Sequence, residues 1–184
     1  MHKQIARAVL ALTHLATRAS THILLPSQSC PPPSSPKSFS LREITYLRYE
    51  ASQYTSPTPL NTTQLAFEIT NTATEISTGC ALQTVMAQGD WVNDSEYWYT
   101  CLERTLTVDD REYPVTTSAR LDWDQWRLTV NQTWVCQESV TISQFSALTL
   151  APTCTENRTS AQYIKECSAP DIVVDATSDE SIAL

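Results

Sequence analysis

Two stretches of the chain alternate apolar and polar residues with the period of a half-buried strand. Between Gln64 and Thr70, Leu65, Phe67 and Ile69 fall on one face, and Gln64, Ala66, Glu68 and Thr70 on the other. Between Arg127 and Trp134, Leu128, Val130 and Trp134 share a face with Gln132, while Arg127, Thr129, Asn131 and Thr133 face the opposite way. Further candidate strands run over residues 41–49, 82–87, 97–102, 117–123 and 138–150. The last loses its alternation near Gln144-Phe145, which predicts a bulge or two short strands. β-Branched residues recur throughout, and no long 3.6-residue periodicity follows the first thirty residues. The pattern predicts an all-β domain, a single antiparallel β-barrel or sandwich.

Composition sets the boundaries. Residues 1–29 read as a leader: a basic start, a short apolar run Ala8-Val9-Leu10-Ala11-Leu12, and cleavage sites after Ala19 or Ser29. Residues 30–37 are a proline-rich entry that cannot be helix. The β domain is expected over 38–168. Residues 169–184 are acidic and poor in aromatics, which predicts a disordered tail, with Ile172-Val173-Val174 as a brief edge strand. The chain has only two glycines, Gly79 and Gly89, so its turns must be built from Asn, Asp, Pro and Ser.

Four of the five asparagines begin an Asn-X-Ser/Thr triplet: Asn61, Asn93, Asn131 and Asn157, with only Asn71 outside. Ser and Thr make up about a quarter of the residues, so chance would place one or two. The excess predicts a secreted, glycosylated protein, and alternation turns Asn131 outward to carry a glycan. Six cysteines, Cys30, Cys80, Cys101, Cys136, Cys154 and Cys167, fit three disulfides in that compartment. Close Cys-X-X-Cys pairs are missing, which argues against zinc.

Net charge is −8, falling to about −11 once Lys3, Arg7 and Arg18 leave with the leader. Such a surface repels phosphate backbones, so nucleic acid is not an expected partner. No apolar run or basic cluster suggests a membrane. All three histidines, His2, His14 and His22, lie in the leader. Their removal would leave no histidine for a nucleophile pair, a proton relay or a metal site. No catalytic residue, metal or cofactor is expected.

Trp91, Tyr97, Trp98 and Tyr99 form the densest aromatic region. Trp98 and Trp134 are expected in the core. Trp91, in a loop beside the Asn93 acceptor, is the best candidate for a ligand contact, where a glycan on Asn93 would compete with the ligand. Asp122 and Asp124 flank Trp123 and project from one face if the strand continues, about 7 Å apart. Paired carboxylates can hydrolyse glycosides. Asp124-Gln125 nevertheless reads as a hairpin turn, and Asp109-Asp110-Arg111-Glu112 as a polar loop.

Tyr97-Trp98-Tyr99-Thr100-Cys101, following the strand at Leu65–Ile69 and Cys80, is one familiar segment. Leu128-Thr129-Val130-Asn131-Gln132-Thr133-Trp134-Val135-Cys136, followed by Leu148-Thr149-Leu150 and Cys154, is another. Together they make residues 38–168 resemble the small secreted proteins of filamentous fungi grouped with the major Alternaria allergen. The resemblance implies a disulfide-stabilised antiparallel β-barrel without enzymatic activity, associated with allergenicity and with fungus–plant contact. It also raises a dimer through an N-terminal cysteine, so monomer and homodimer both stand. Of the 15 pairings that six cysteines allow, the expected set is Cys80–Cys101, Cys136–Cys154 and Cys30–Cys167. The leading functional expectation is a non-catalytic secreted protein that binds a host protein or a small apolar ligand. A carbohydrate-binding module using exposed tryptophans comes next, and a hydrolase working with carboxylates alone comes last.

Overall fold

In the computed structural model of the protein, the described residues are 37–51, 61–87, 90–92, 95–108, 110–136 and 140–182. Among them there are strands and turns and no helix. β1 (Ser38–Ala51), β2 (Thr62–Asn71), β3 (Ile76–Ala87) and β4 (Asp90–Trp91) run in order. They form one sheet with the β10 (Thr153–Arg158) and β11 (Gln162–Ser168) hairpin beside β1, in the order β10-β11-β1-β2-β3-β4. The second sheet has the order β13-β9-β8-β7-β5. Its strands are β5 (Tyr99–Thr100), β7 (Arg111–Asp122), β8 (Arg127–Cys136), β9 (Val140–Thr149) and β13 (Thr177–Ile182), with β6 (Arg104–Val108) also pairing β7. β12 (Ile172–Asp175) pairs the first half of β1. The described pairings are antiparallel. The two sheets stack as a sandwich and are not closed into a barrel.

The alternation read from β2 and β8 holds. Leu65, Phe67 and Ile69 of β2 and Leu128, Val130 and Trp134 of β8 are buried between the sheets. Phe39, Leu41, Leu82, Ala119 and Leu121 join them. β1 needs a bulge to keep its apolar residues inward: Leu41 and Ile44 are both buried, and the register with β2 shifts between Arg42 and Thr45. Glu43 takes the left-handed conformation there, at φ 53°.

The bulge expected in β9 is absent. Its register with β8 runs unbroken from Val140 to Thr149, and alternation continues through Ile142, Gln144 and Ser146, all buried. The apolar pattern lapsed because Gln144 is a polar residue facing the core. It belongs to a row across three strands, Thr117, Gln132 and Gln144, which are register partners. Asn71 of the facing sheet donates to Gln132 Oε1 at 2.8 Å and to Gln144 Oε1 at 2.9 Å. Gln132 Nε2 donates to Thr117 Oγ1 at 2.9 Å. The row separates the main core from a smaller cluster of Val115, Trp134 and Ile142.

Two disulfides lie in the described residues. Cys80–Cys101 is the expected pair and ties β3 to the segment leaving β5, so it joins the two sheets. The second is Cys154–Cys167, which overturns both Cys136–Cys154 and Cys30–Cys167. The reason is register: Cys154 and Cys167 stand directly opposite each other in the β10–β11 hairpin. Cys30 lies outside the described residues, as does the side chain of Cys136.

The segment read as a disordered tail is ordered in strands. β12 lies along β1, and β13 extends the second sheet beside β9. The leader and most of the proline-rich entry fall outside the described residues. Turns built on Asn71, Asp110 and Asp122 match the expected residue types, whereas Glu75 and Trp126 do not. Glu75, Asp110 and Trp126 hold left-handed turn positions at φ 58°, 61° and 54°. With so little glycine, larger residues carry backbone strain.

Candidate functional site

The bulge in β1 turns Ile44, Tyr46 and Arg48 onto one face of the first sheet. Thr63 at the start of β2 and Thr84 near the end of β3 lie alongside, and β4 brings Trp91 and Val92. From the second sheet, the β7–β8 hairpin contributes Trp123, Asp124 and Trp126. All of these except Ile44, which is buried in the core, line a recess of about 330 Å³ between the first sheet and that hairpin.

The hairpin is set by Asp122. Its Oδ1 accepts from the amides of Asp124 and Gln125 at 3.1 and 3.0 Å, an Asx turn that fixes the four-residue loop. Trp126 closes it in the left-handed region, and its carbonyl accepts from Leu150 N at 2.9 Å. A tryptophan with positive φ is a strained choice. It places the indole edge-on to Tyr46, with ring centroids 4.9 Å apart. Trp123 lies tilted against the same tyrosine at 6.4 Å.

Arg48 covers another wall. Its guanidinium stands 4.6 Å from the centre of the Trp91 ring and is paired with Glu50. The arginine charge is therefore neutralised from outside the recess. Tyr46 is 8% exposed, and burial pushes its hydroxyl above the usual tyrosine value, partly opposed by Arg48. Two further lining residues, Thr63 and Trp91, hold polar atoms sealed from solvent without a hydrogen-bond partner among the described residues: Oγ1 and Nε1. Buried donors without acceptors are costly. The recess can thus take a small, flat, uncharged molecule between aromatic walls. A cation gains little, because Arg48 already occupies the face of Trp91.

Of the residues singled out in the sequence, the structure brings Trp91 and Asp124 to this recess. Tyr46, Arg48, Trp123 and Trp126 were not assigned to a site there. The signal available was two indoles inside a polar turn, Trp123-Asp124-Gln125-Trp126, where a turn alone has no use for them. Trp134 is in the core at 1% exposed. Trp98 is not: it is 39% exposed, lying over Arg120 at 5.1 Å on the outer face of the second sheet. Asp122 and Asp124 do form a turn. The Asp122 carboxylate is engaged by turn amides, which argues against its pairing with Asp124 in hydrolysis. No cluster of potential metal ligands occurs among the described residues.

The glycan acceptors differ in setting. Asn157 is exposed on β10. Asn131 is half-buried on the outer face of β8. Asn61 is also half-buried, and its amide is engaged: Oδ1 accepts from Ala51 N at 2.8 Å, and Nδ2 lies 3.2 Å from Met86 Sδ. Asn93 lies outside the described residues. Asn71, the asparagine without an acceptor triplet, is fully buried. No family model, curated protein or solved structure matches this chain.

Proposed function

We propose that this is a secreted, glycosylated, non-catalytic protein that binds a small, flat, apolar ligand in the recess walled by Tyr46, Trp91, Trp123 and Trp126. The observation that carries this reading is the recess itself. It draws four aromatic side chains from both sheets around about 330 Å³ and holds one of them on a strained backbone. That volume lies in the range of small-molecule sites, and aromatic walls with few polar groups suit a ring system. The two described disulfides are compatible with an extracellular protein. The resemblance to the fungal allergen group supports secretion and binding without catalysis.

Two bicyclic probes test the reading: chromone, which carries a carbonyl acceptor, and naphthalene, which does not. Chromone is expected to quench tryptophan emission saturably. Naphthalene should saturate as well, because the aromatic walls carry the binding. Trp126→Ala should abolish saturation by both. If both probes quench without saturating, or quench wild type and Trp126→Ala alike, the recess is not a ligand site.

A further inference from the structure

The outer face of the second sheet carries a broad groove of about 640 Å³ whose lining includes Trp98, Arg120, Asn131, Phe145 and Ala147. Asn131 is a glycan acceptor in the middle strand. Its register partners are Ser118 on β7 and Phe145 on β9. Phe145 is 41% exposed, an aromatic ring left open on a sheet face. Around the pair the outward residues are small, Thr129, Thr133, Ser143 and Ala147, so nothing on the sheet covers the ring. The far wall is fixed, because Arg120 lies under Trp98 at 5.1 Å and donates to Glu96 Oε2 at 2.9 Å. No hydrogen bond holds the Asn131 side chain among the described residues.

We infer that the groove is filled from within the molecule, by the first sugars of an N-linked glycan on Asn131 packed against Phe145 and Trp98. Directly opposed side chains on neighbouring antiparallel strands stand about 5 Å apart at Cβ. A sugar on Asn131 Nδ2 therefore begins beside the Phe145 ring. The C–H face of an N-acetylglucosamine is apolar and suits an aromatic face, while its hydroxyls stay in water. Attachment uses a lipid-pyrophosphate-linked oligosaccharide. The amide nitrogen forms the bond to C1 of the first sugar, the lipid pyrophosphate leaves with the electron pair of the broken C1–O bond, and one amide proton is lost. The transfer precedes folding, since neighbouring Gln132 ends up fully buried. The glycan is then a covering layer of the fold as well as a surface label, unlike one on exposed Asn157.

The inference rests on the secretory part of the proposed function and is independent of the recess. The test uses the chain secreted from a eukaryotic host, with glycopeptide mapping and thermal melts of wild type, Asn131→Gln, Phe145→Ala and the double variant. Losing the acceptor should lower Tm by about 2–4 °C when Phe145 is present and by less than half of that when it is Ala. That coupling should vanish after all four proteins are enzymatically deglycosylated. If a variant is not secreted, release of glycans from native wild-type protein decides: the Asn131 glycan should come off at least tenfold more slowly than the one on Asn157. Additive Tm changes, equal release rates, or an unoccupied Asn131 beside an occupied Asn157 would overturn the inference. If every acceptor is bare, the secretory reading itself fails. In either case the chromone titration still reports on the recess.

Discussion

Tyr46 shows how a single side chain couples the recess to the stability of the fold. Its side chain is largely buried, and burial raises its pKa above the 10.0 of an exposed tyrosine, with Arg48 opposing in part. The folded state therefore holds this proton more tightly than the unfolded state does. The resulting stability is fully present below pH 10 and is lost as pH rises through the folded-state value. Thermal melts at about pH 8 and about pH 11 should show a loss in wild type that is smaller in Tyr46→Phe, which keeps the ring contacts with Trp123 and Trp126. Equal losses in both proteins would place the alkaline sensitivity elsewhere. Asn71 makes the complementary point. Its Nδ2 donates to two glutamines across the core and its Oδ1 accepts from Ala73 N, so no atom of its amide is free for a glycan. The described asparagines that carry acceptor triplets are half-buried or exposed, and the one without a triplet is inside.

Two hairpins share one construction. In the turn from Asn71 to Ile76, as in that from Asp122 to Arg127, the side-chain oxygen of the first residue accepts from the amide two positions on. The fifth residue, Glu75 or Trp126, then takes a left-handed conformation. Glycine relieves that conformation, so Glu75→Gly should raise stability by about 1 kcal/mol in denaturant titrations. Trp126→Gly gains the same backbone relief and loses the contact with Tyr46. It should therefore be less stable than Glu75→Gly and should not bind chromone; a Trp126→Gly protein that binds chromone normally would remove this indole from the site. The parallel also marks what a sequence shows. β2 and β8 were legible because each keeps strict alternation on one buried face. β9 was misread as bulged because two successive buried positions, Gln144 and Ser146, are polar, and the partner of Gln144, Asn71, lies 73 residues away. β1 hid its bulge because Glu43 has no side-chain signature for positive φ. The disulfide Cys154–Cys167 depended on hairpin register, which spacing alone does not provide. The recess was invisible for the same reason, since its walls come from four strands and one turn.

At the scale of the whole molecule, the last fifteen described residues join both sheets. β12 runs beside Phe39 and Leu41 of β1, and Ile172 and Val174 pack against the main core. Ser146 of β9 donates to the Asp175 carbonyl at 2.8 Å, and Ala176 N donates to the Lys37 carbonyl at 2.8 Å. β13 then covers the edge of β9. The acidic, aromatic-poor composition pointed to disorder because composition measures how much core a segment can bury by itself. This segment buries little. It adds a ladder of backbone hydrogen bonds to edges that already exist, and such pairing depends weakly on side-chain type. Removing it uncovers two sheet edges and the apolar ends of β1. Truncation after Ala169 should therefore lower Tm by about 10 °C or more and promote association, seen by light scattering. The pair Ile172→Ser and Val174→Ser should reproduce part of the loss with the full chain retained. A truncated protein that melts within about 1 °C of wild type and associates no more than wild type would show that the segment carries no load. The sandwich would then end at Ser168, where composition alone had placed its boundary.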